Sequence, residues 1–345
     1  MINNKKLLLA IAMSSLLIGG CTKDSTDGEK SDIVGDEGNV EQSEKFYAPL
    51  TGEEVEQEVT QRPIMITVNN HPEARPQSGL ASADMVYEME AEGNVTRFLA
   101  VYQSELPEKV GPVRSARSYF INLSKGLDAF YVAHGYSEEA KSMLEKGVVD
   151  NINGMQHDGT LFKRSSDRVA PHNSYITSEN IMKGAEQVNA SMNYSKKVLQ
   201  AFYEPEDSVK IGTETNQIDV SFGKSKYFQN TYLFNPEGND YERQSGGVTT
   251  KDMLTGEALK LSNVLFFEME QKTIDSVGRQ DINLTSGGNA YVFQNGYMRE
   301  VKWANKDGIP VAVEETGELV KLVPGQSWIH FVSTSPGLAA SVKTQ

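Results

Sequence analysis

Apolar and polar residues follow two rhythms along this chain. Between about residues 63 and 190, short β-branched runs alternate with stretches of helical period; beyond about Ile218 only strand-like runs recur. Residues 63–68 form a β-rich run that ends in Asn69-Asn70-His71-Pro72, a strand entering a loop. Over residues 84–91, Met85, Tyr87, Met89 and Ala91 fall on one face of a strand, and Val86, Glu88, Glu90 and Glu92 on the other. Residues 96–102 and 129–133 are further strand candidates. Ala116, Tyr119, Phe120, Leu123 and Leu127 mark one face of a helix with Ser115 as its N-cap. Ser137, with Glu138 and Glu139 behind it, opens a second helix that Gly147 stops. Thr177 or Ser178 opens a third, with Ile181, Met182, Ala185 and Val188 turned inward. Strands alternating with helices predict a sheet with helices packed on it.

The later part reads differently. Alternation at Ile218, Val220 and Phe222 is followed by β-branched or aromatic runs at 232–234, 263–269, 290–293 and 328–332. Asn295-Gly296 between two such runs predicts a type I′ hairpin, and Asp307-Gly308, Thr316-Gly317 and Pro324-Gly325 punctuate the rest. Ser286-Gly287-Gly288-Asn289 reads as a bulge or tight turn. The pattern predicts an antiparallel meander.

The N-terminus changes the picture of where this body resides. Lys5-Lys6, the mostly apolar residues 7–18 and Gly19-Gly20 before Cys21 have the order of a secretory signal peptide, with an h-region too short to span a bilayer. Ile18-Gly19-Gly20-Cys21 looks like a lipobox, so Cys21 is expected to be cleaved free and lipidated. Cys21 is the single cysteine of 345 residues, which excludes an intrachain disulfide. Residues 21–48 are acidic and polar, an extended tether with a reach of roughly 30 Å. The expected organisation is a signal peptide at 1–20, the tether at 21–48, an α/β part at 49–200 and a β-rich part at 215–335. Loss of residues 1–20 removes two lysines and takes the formal charge from −14 to about −16. Such a balance excludes sequence-independent nucleic-acid binding, which needs cationic surfaces. Membrane attachment must then rest on acyl chains, at about 0.8 kcal/mol per buried methylene.

Candidate chemistry concentrates in two stretches. In Gly111-Pro112-Val113-Arg114-Ser115-Ala116-Arg117, two arginines precede a helix, where free N–H groups and guanidinium forks favour an anion. The alternative is that Arg114 and Arg117 form internal ion pairs with Glu88 or Glu90. The polar run from Phe162 to Tyr175 has no period and reads as a loop carrying Lys163, Arg164, Asp167, Arg168, His172 and Asn173. Glu88, Glu90 or Asp167 are the acid or base candidates, with His172 or His134 assisting. The sequence has no His-Glu-x-x-His, no phosphate-cradling Gly-x-x-x-x-Gly-Lys and no Gly-x-Ser-x-Gly. Its histidines, His71, His134, His157, His172 and His330, are scattered, and their spacing identifies no metal; no cofactor is expected.

Asn69-Asn70-His71, Arg75-Pro76-Gln77-Ser78-Gly79-Leu80, Ala83-Asp84, Thr96-Arg97-Phe98, Gly111 to Arg117 and Ala170-Pro171-His172-Asn173 together resemble the YerB-like bacterial lipoproteins, a family named for a domain of unknown function. Gly287-Gly288, Asn295-Gly296 and Trp303 extend the resemblance into the β-rich part. It implies a lipid-anchored envelope protein with a layered α+β fold, two β layers and one helical layer, and supplies no reaction. The expected function is binding of an anionic surface ligand, such as peptidoglycan carboxylates or teichoic-acid phosphates, or of a membrane-protein partner. The expected site joins Arg114 and Arg117 to Arg168, His172 and Asn173, with Asn69, Asn70 and His71 as a third wall. A hydrolase or transferase acting on cell-wall glycan or peptide and a transporter's solute-binding protein are the competing readings.

Overall fold

A computed structural model describes residues 45–194, 200–204, 207, 209–223 and 225–345. The signal peptide, Cys21 and most of the acidic tether lie outside the described residues. Among the described residues no helix is long and apolar enough to cross a membrane.

The α+β body is built on one large mixed sheet. Its first strands are β1 (Ile64–Asn69), β2 (Met85–Glu92) and β3 (Val95–Tyr102), close to the runs seen in the sequence. Then follow α1 (Ser118–Gly126), β4 (Phe130–Ala133), α2 (Glu138–Glu145), β5 (Asn151–Asn153) and α3 (Ser178–Gln187). The β-rich part supplies β6 (Gln217–Ser221), β7 (Gln229–Asn235), β8 (Asp240–Ser245), β9 (Asn263–Met269), β10 (Gly288–Gln294), β11 (Tyr297–Lys306), β12 (Ile309–Val313), β13 (Ser327–Ser333) and β14 (Val342–Thr344). The large sheet runs β11-β10-β9-β13-β2-β3-β1-β4-β5, with β12 on β11 and residues 213–214 at the far edge. The smaller sheet is built around β8-β7-β6-β14.

The β-rich part is therefore not a meander alone. β13 lies parallel to both β9 and β2 and closes the two halves of the chain into one sheet. Parallel pairing requires a crossover. Here β10 to β12 and the following turns supply it, a long-range arrangement that local alternation does not reveal. Asn295 and Gly296 have φ of 53° and 76° and join β10 to β11, which is the expected hairpin turn.

Both faces of the large sheet are covered. On one, Tyr119, Phe120 and Leu123 of α1 and Ala140 of α2 pack over Met65, Met85, Tyr87, Leu99 and Tyr131. On the other, Ile218, Val220, Tyr232 and Tyr241 of the smaller sheet pack over Val264, Phe266, Phe293 and Trp328, with Ile181 and Ala185 of α3 beside them. Side chains buried on both faces explain why β1 and β4 read as continuous apolar runs. Ser137 and Thr177 cap α2 and α3 through their side chains as expected. However, Met182 of α3 and Val188 just after it are exposed and Gly184 is buried, where a Cβ would meet Ile152 and Leu161.

A fully buried charge pair joins the two sheets. Glu88 of β2 accepts from Arg243 Nη2 (2.9 Å), Trp328 Nε1 (3.0 Å), Asn230 Nδ2 (3.1 Å), Asn70 Nδ2 (3.2 Å) and the Thr96 hydroxyl (2.9 Å). Arg243 also donates to Tyr232 and Thr250 (3.2 and 2.8 Å), and its guanidinium lies over Phe98 and Trp328. Tyr232 donates its hydroxyl proton to His330 Nε2 (2.5 Å), and His330 Nδ1 is 3.7 Å from Glu88. Burial by itself raises the Glu88 pKa; Arg243, His330 and Trp328 outweigh it and hold the group at about 2. Burial drives His330 down to about 3 against the opposing pull of Glu88.

Two outcomes follow from this cluster. Arg243→Met leaves Glu88 buried without its counter-charge and is expected to lower unfolding free energy by about 3–5 kcal/mol in urea titration, with Glu88→Gln on the same chain restoring part of it. Glu88 stabilises the fold fully above its unfolded pKa near 4.5 and loses this as pH falls towards 2; His330, neutral in the fold, takes up a proton on unfolding below about 6.5. Both signs agree and together outweigh Asp84, whose pKa burial raises to about 6 and which acts in the opposite sense, so stability is expected to be lower at pH 3 than at pH 7. A urea midpoint unchanged between pH 7 and pH 3 would contradict this assignment.

Candidate functional site

The stretch before α1 is locked by its backbone before any side chain acts. Gly111 exchanges hydrogen bonds with Ser78, Arg114 N–H donates to Thr67 O (2.8 Å), and Ala116 N–H donates to Gly135 O (2.9 Å). Gly111 has φ of 154°, and a Cβ there would lie 2.8 Å from Ser174 O. Residues 111–116 are thus threaded in extended form between the ends of β1 and β4. This moves the helix start: α1 begins at Ser118 with Arg117 at the N-cap and no side-chain cap, and the Ser115 hydroxyl turns to His134 O (3.4 Å) instead.

The two arginines then diverge. A register shift between Glu90 and Glu92 in β2 carries Glu92 away from the face that holds Glu88. Glu92 accepts from both Arg97 and Arg117, so the internal partner of Arg117 is Glu92 and neither Glu88 nor Glu90. Burial raises the Glu92 pKa and the two arginines overcome it, leaving a net lowering; burial raises that of Glu90, whose backbone oxygen accepts from Tyr119 (2.9 Å). Arg114 makes no side-chain hydrogen bond or ion pair among the described residues, and its Nε is buried without a partner. Burial, Arg117 and Arg164 lower its pKa, and Glu92 opposes them.

The polar run from 162 to 175 is in part a hairpin. Phe162–Arg164 pairs antiparallel with Ser174–Thr177, which also pairs with Lys109–Val110. Arg164 grips Asp158 (2.8 and 3.1 Å) and donates to Asn173 Oδ1 (3.2 Å) and His134 Nε2 (3.0 Å). A guanidinium only donates, so His134 accepts at Nε2 and gives its Nδ1 proton to Ser174 Oγ (2.6 Å). That direction is opposite to nucleophile activation. Arg168 satisfies Ala74 O (2.5 Å), Pro76 O (2.6 Å) and Tyr175 OH (3.0 Å), and so ties the loop to the turn after β1. Asp167 bonds within its own loop to Ser165 (3.1 Å).

Across this tie, Asn69 Oδ1 accepts from His71 N–H (2.9 Å) while Asn69 Nδ2 lies 2.9 Å from His172 Nδ1. The His71 and His172 rings stack at 4.5 Å, and His172 Nε2 is 3.3 Å from a Glu73 carboxylate oxygen. Burial, His71 and Arg114 depress the His172 pKa.

Of the residues singled out by sequence, the fold groups Asn69, His71 and His172, with Arg114 close enough to act on His172. Asn173 is held by Arg164 and Ser165. Arg117 is committed to Glu92, Arg168 to carbonyls, and Asn70 and Glu88 to the buried cluster. Neither His134 nor His172 meets Glu88, Glu90 or Asp167 in an ion pair or hydrogen bond; their carboxylate neighbours are Asp158 and Glu73. Sequence reasoning singled out neither Glu73 nor Arg243, and it named Glu92 and Arg97 on their strands without assigning them partners. Only Glu73 carried a local signal, since Pro72 begins a turn that brings residues 71 and 73 together. Arg97, Arg114 and Arg117 act on one another around Glu92, and Arg164, paired with Asp158, acts on Arg114, a local cationic excess in an acidic chain.

Comparison with known proteins agrees with this architecture. The family described as "Protein of unknown function (DUF3048) N-terminal domain" matches residues 50–191, and its C-terminal domain matches residues 218–329. A Bacillus subtilis (strain 168) protein named "Putative lipoprotein YerB" is 42% identical over 292 residues, which cover 84% of this chain and 87% of that protein. The crystal structure of YerB protein from Bacillus subtilis aligns with a TM-score of 0.79 and 42% identity, covering 86% of this chain and 99% of the other. The chain belongs to the DUF3048 family, whose N-terminal and C-terminal domains it carries in one continuous body.

Proposed function

We propose that this protein is an envelope lipoprotein, anchored to the membrane through lipidated Cys21, whose body binds an anionic surface ligand at Arg114. The observation that carries the reading is the unpartnered Arg114 guanidinium, set among Arg117, Arg164, His134 and His172 in a chain of formal charge −14. An arginine on a fixed backbone, making no hydrogen bond or ion pair among the described residues, offers its guanidinium fork to a carboxylate or phosphate. The anchor reading rests on the Ile18-Gly19-Gly20-Cys21 motif and on the name of the Bacillus relative. Peptidoglycan stem-peptide carboxylates and teichoic-acid phosphates both match the fork, and they are distinguishable by experiment.

Arg114→Gln is expected to weaken binding of the preferred fragment about 10- to 100-fold, the loss of a charge-assisted fork, with the thermal midpoint unchanged within about 1–2 °C. Binding is measured by calorimetry with purified muropeptides and, separately, with glycerol-phosphate oligomers at two salt concentrations. Arg117→Ala is expected to behave in the opposite way, costing about 2 kcal/mol of stability in urea titration. That figure lies below the full value for a buried pair because 26% of the Glu92 side chain remains exposed. Undiminished binding of both fragment classes by Arg114→Gln would remove the anion site.

A further inference from the structure

We propose that His71, Glu73 and His172 form a binding site for a divalent transition-metal ion of the zinc class. Each contributes one ligand atom, and these atoms lie within 4.8 Å of one another. Ligands of a tetrahedral zinc at 2.0–2.2 Å are about 3.3–3.6 Å apart, and the His172 Nε2 to Glu73 edge already measures 3.3 Å. The other edges lie within 4.8 Å, so closure needs a tilt of the His71 ring, now stacked on His172 at 24°, together with rotation of Glu73, whose side chain is 72% exposed; that of His172 is 12% exposed and stays in place. Two imidazoles and one carboxylate select zinc, nickel or cobalt over the harder calcium and magnesium, which take oxygen ligands. Three protein ligands leave a coordination position open to water or an anion.

The surroundings supply what a bare cluster lacks. Arg168 bridges the loop carrying His172 to the turn carrying His71 and Glu73, and is thereby a positioning residue. Asn69 holds the backbone N–H of His71 and the Nδ1 of His172, and the Glu73 backbone N–H donates to His71 Nδ1 (3.3 Å), which leaves His71 Nε2 as its ligand atom. In the metal-free arrangement Asn69 Nδ2 donates to His172 Nδ1, so the ring proton sits on Nε2 and faces Glu73. Metal replaces that proton, which moves to Nδ1, and position 69 must then present an acceptor there. An aspartate at this position would accept from Nδ1–H and from the His71 N–H together, the carboxylate–histidine–metal arrangement that raises ligand basicity.

The test uses the full-length chain, stripped with a chelator and titrated with zinc by calorimetry and with cobalt by visible absorption; Cys21 is common to every variant. One ion per chain is expected. His71→Ala and His172→Ala should weaken zinc at least about 100-fold, Glu73→Gln about tenfold, and Asn69→Asp should tighten it about tenfold. Arg114→Gln removes a positive charge near His172 and should leave zinc binding no weaker, whereas it weakens the anion; the different directions separate this site from the proposed anion fork. Equal zinc affinity in His172→Ala and the unmodified chain, or weaker binding in Asn69→Asp, would overturn the proposal.

Discussion

The contact between Glu88 and Arg243 is the constraint around which this molecule is arranged. Glu88 lies on β2, the strand where the N-terminal part of the large sheet meets β13, and Arg243 lies on β8 of the smaller sheet. Moving either charge from water into the interior costs several kcal/mol, and their attraction offsets this only with the remaining lone pairs and protons satisfied. Trp328, Asn230, Asn70, Thr96, Tyr232 and Thr250 meet that requirement, and they come from both sheets, from the loop after β1 and, for Thr250, from the segment following residues 248–249. The pair therefore fixes the registration of one layer on the other, and with it the place of Asn70 and of the turn that follows.

The same strand divides its acids between two tasks. Up to Glu90 the alternation of β2 holds, and Glu88 enters the interface between the sheets. At the bulge the alternation breaks, and Glu92 meets Arg97 and Arg117 near the start of α1. Two arginines sharing one carboxylate, beside a third with none, leave excess positive charge where the chain as a whole is negative. That excess is local and held by backbone geometry, since residues 111–116 are paired on both sides before α1 begins.

The loop around His172 is likewise fixed by contacts unrelated to its candidate chemistry. Arg168 caps two carbonyls of the turn after β1, and Arg164 joins Asp158, Asn173 and His134. These bonds immobilise two segments about a hundred residues apart in sequence and bring His71, Glu73 and His172 together. The arginines that look most like ligand contacts in the sequence thus act largely as struts, and Arg114 is the one whose side chain has no hydrogen bond or ion pair among the described residues.

The sequence alone determined the elements whose pattern is local. Alternation placed β2, continuous β-rich runs placed β1, β3 and β4, helical period with Ser137 and Thr177 or Ser178 as caps placed α2 and α3, and Asn295-Gly296 placed the hairpin, because φ/ψ preference and side-chain patterning act within a few residues. Motif resemblance determined the family. Tertiary structure decided the rest. β13 inserts in parallel between distant strands, the bulge at Glu90 reassigns Glu92, extended pairing displaces the α1 cap from Ser115, and α3 buries Gly184 while Met182 faces water. The candidate site was legible as residue types in two stretches but not as partners. Which arginine keeps a free guanidinium depends on where every carboxylate ends up, and that depends on contacts between segments that no local pattern specifies.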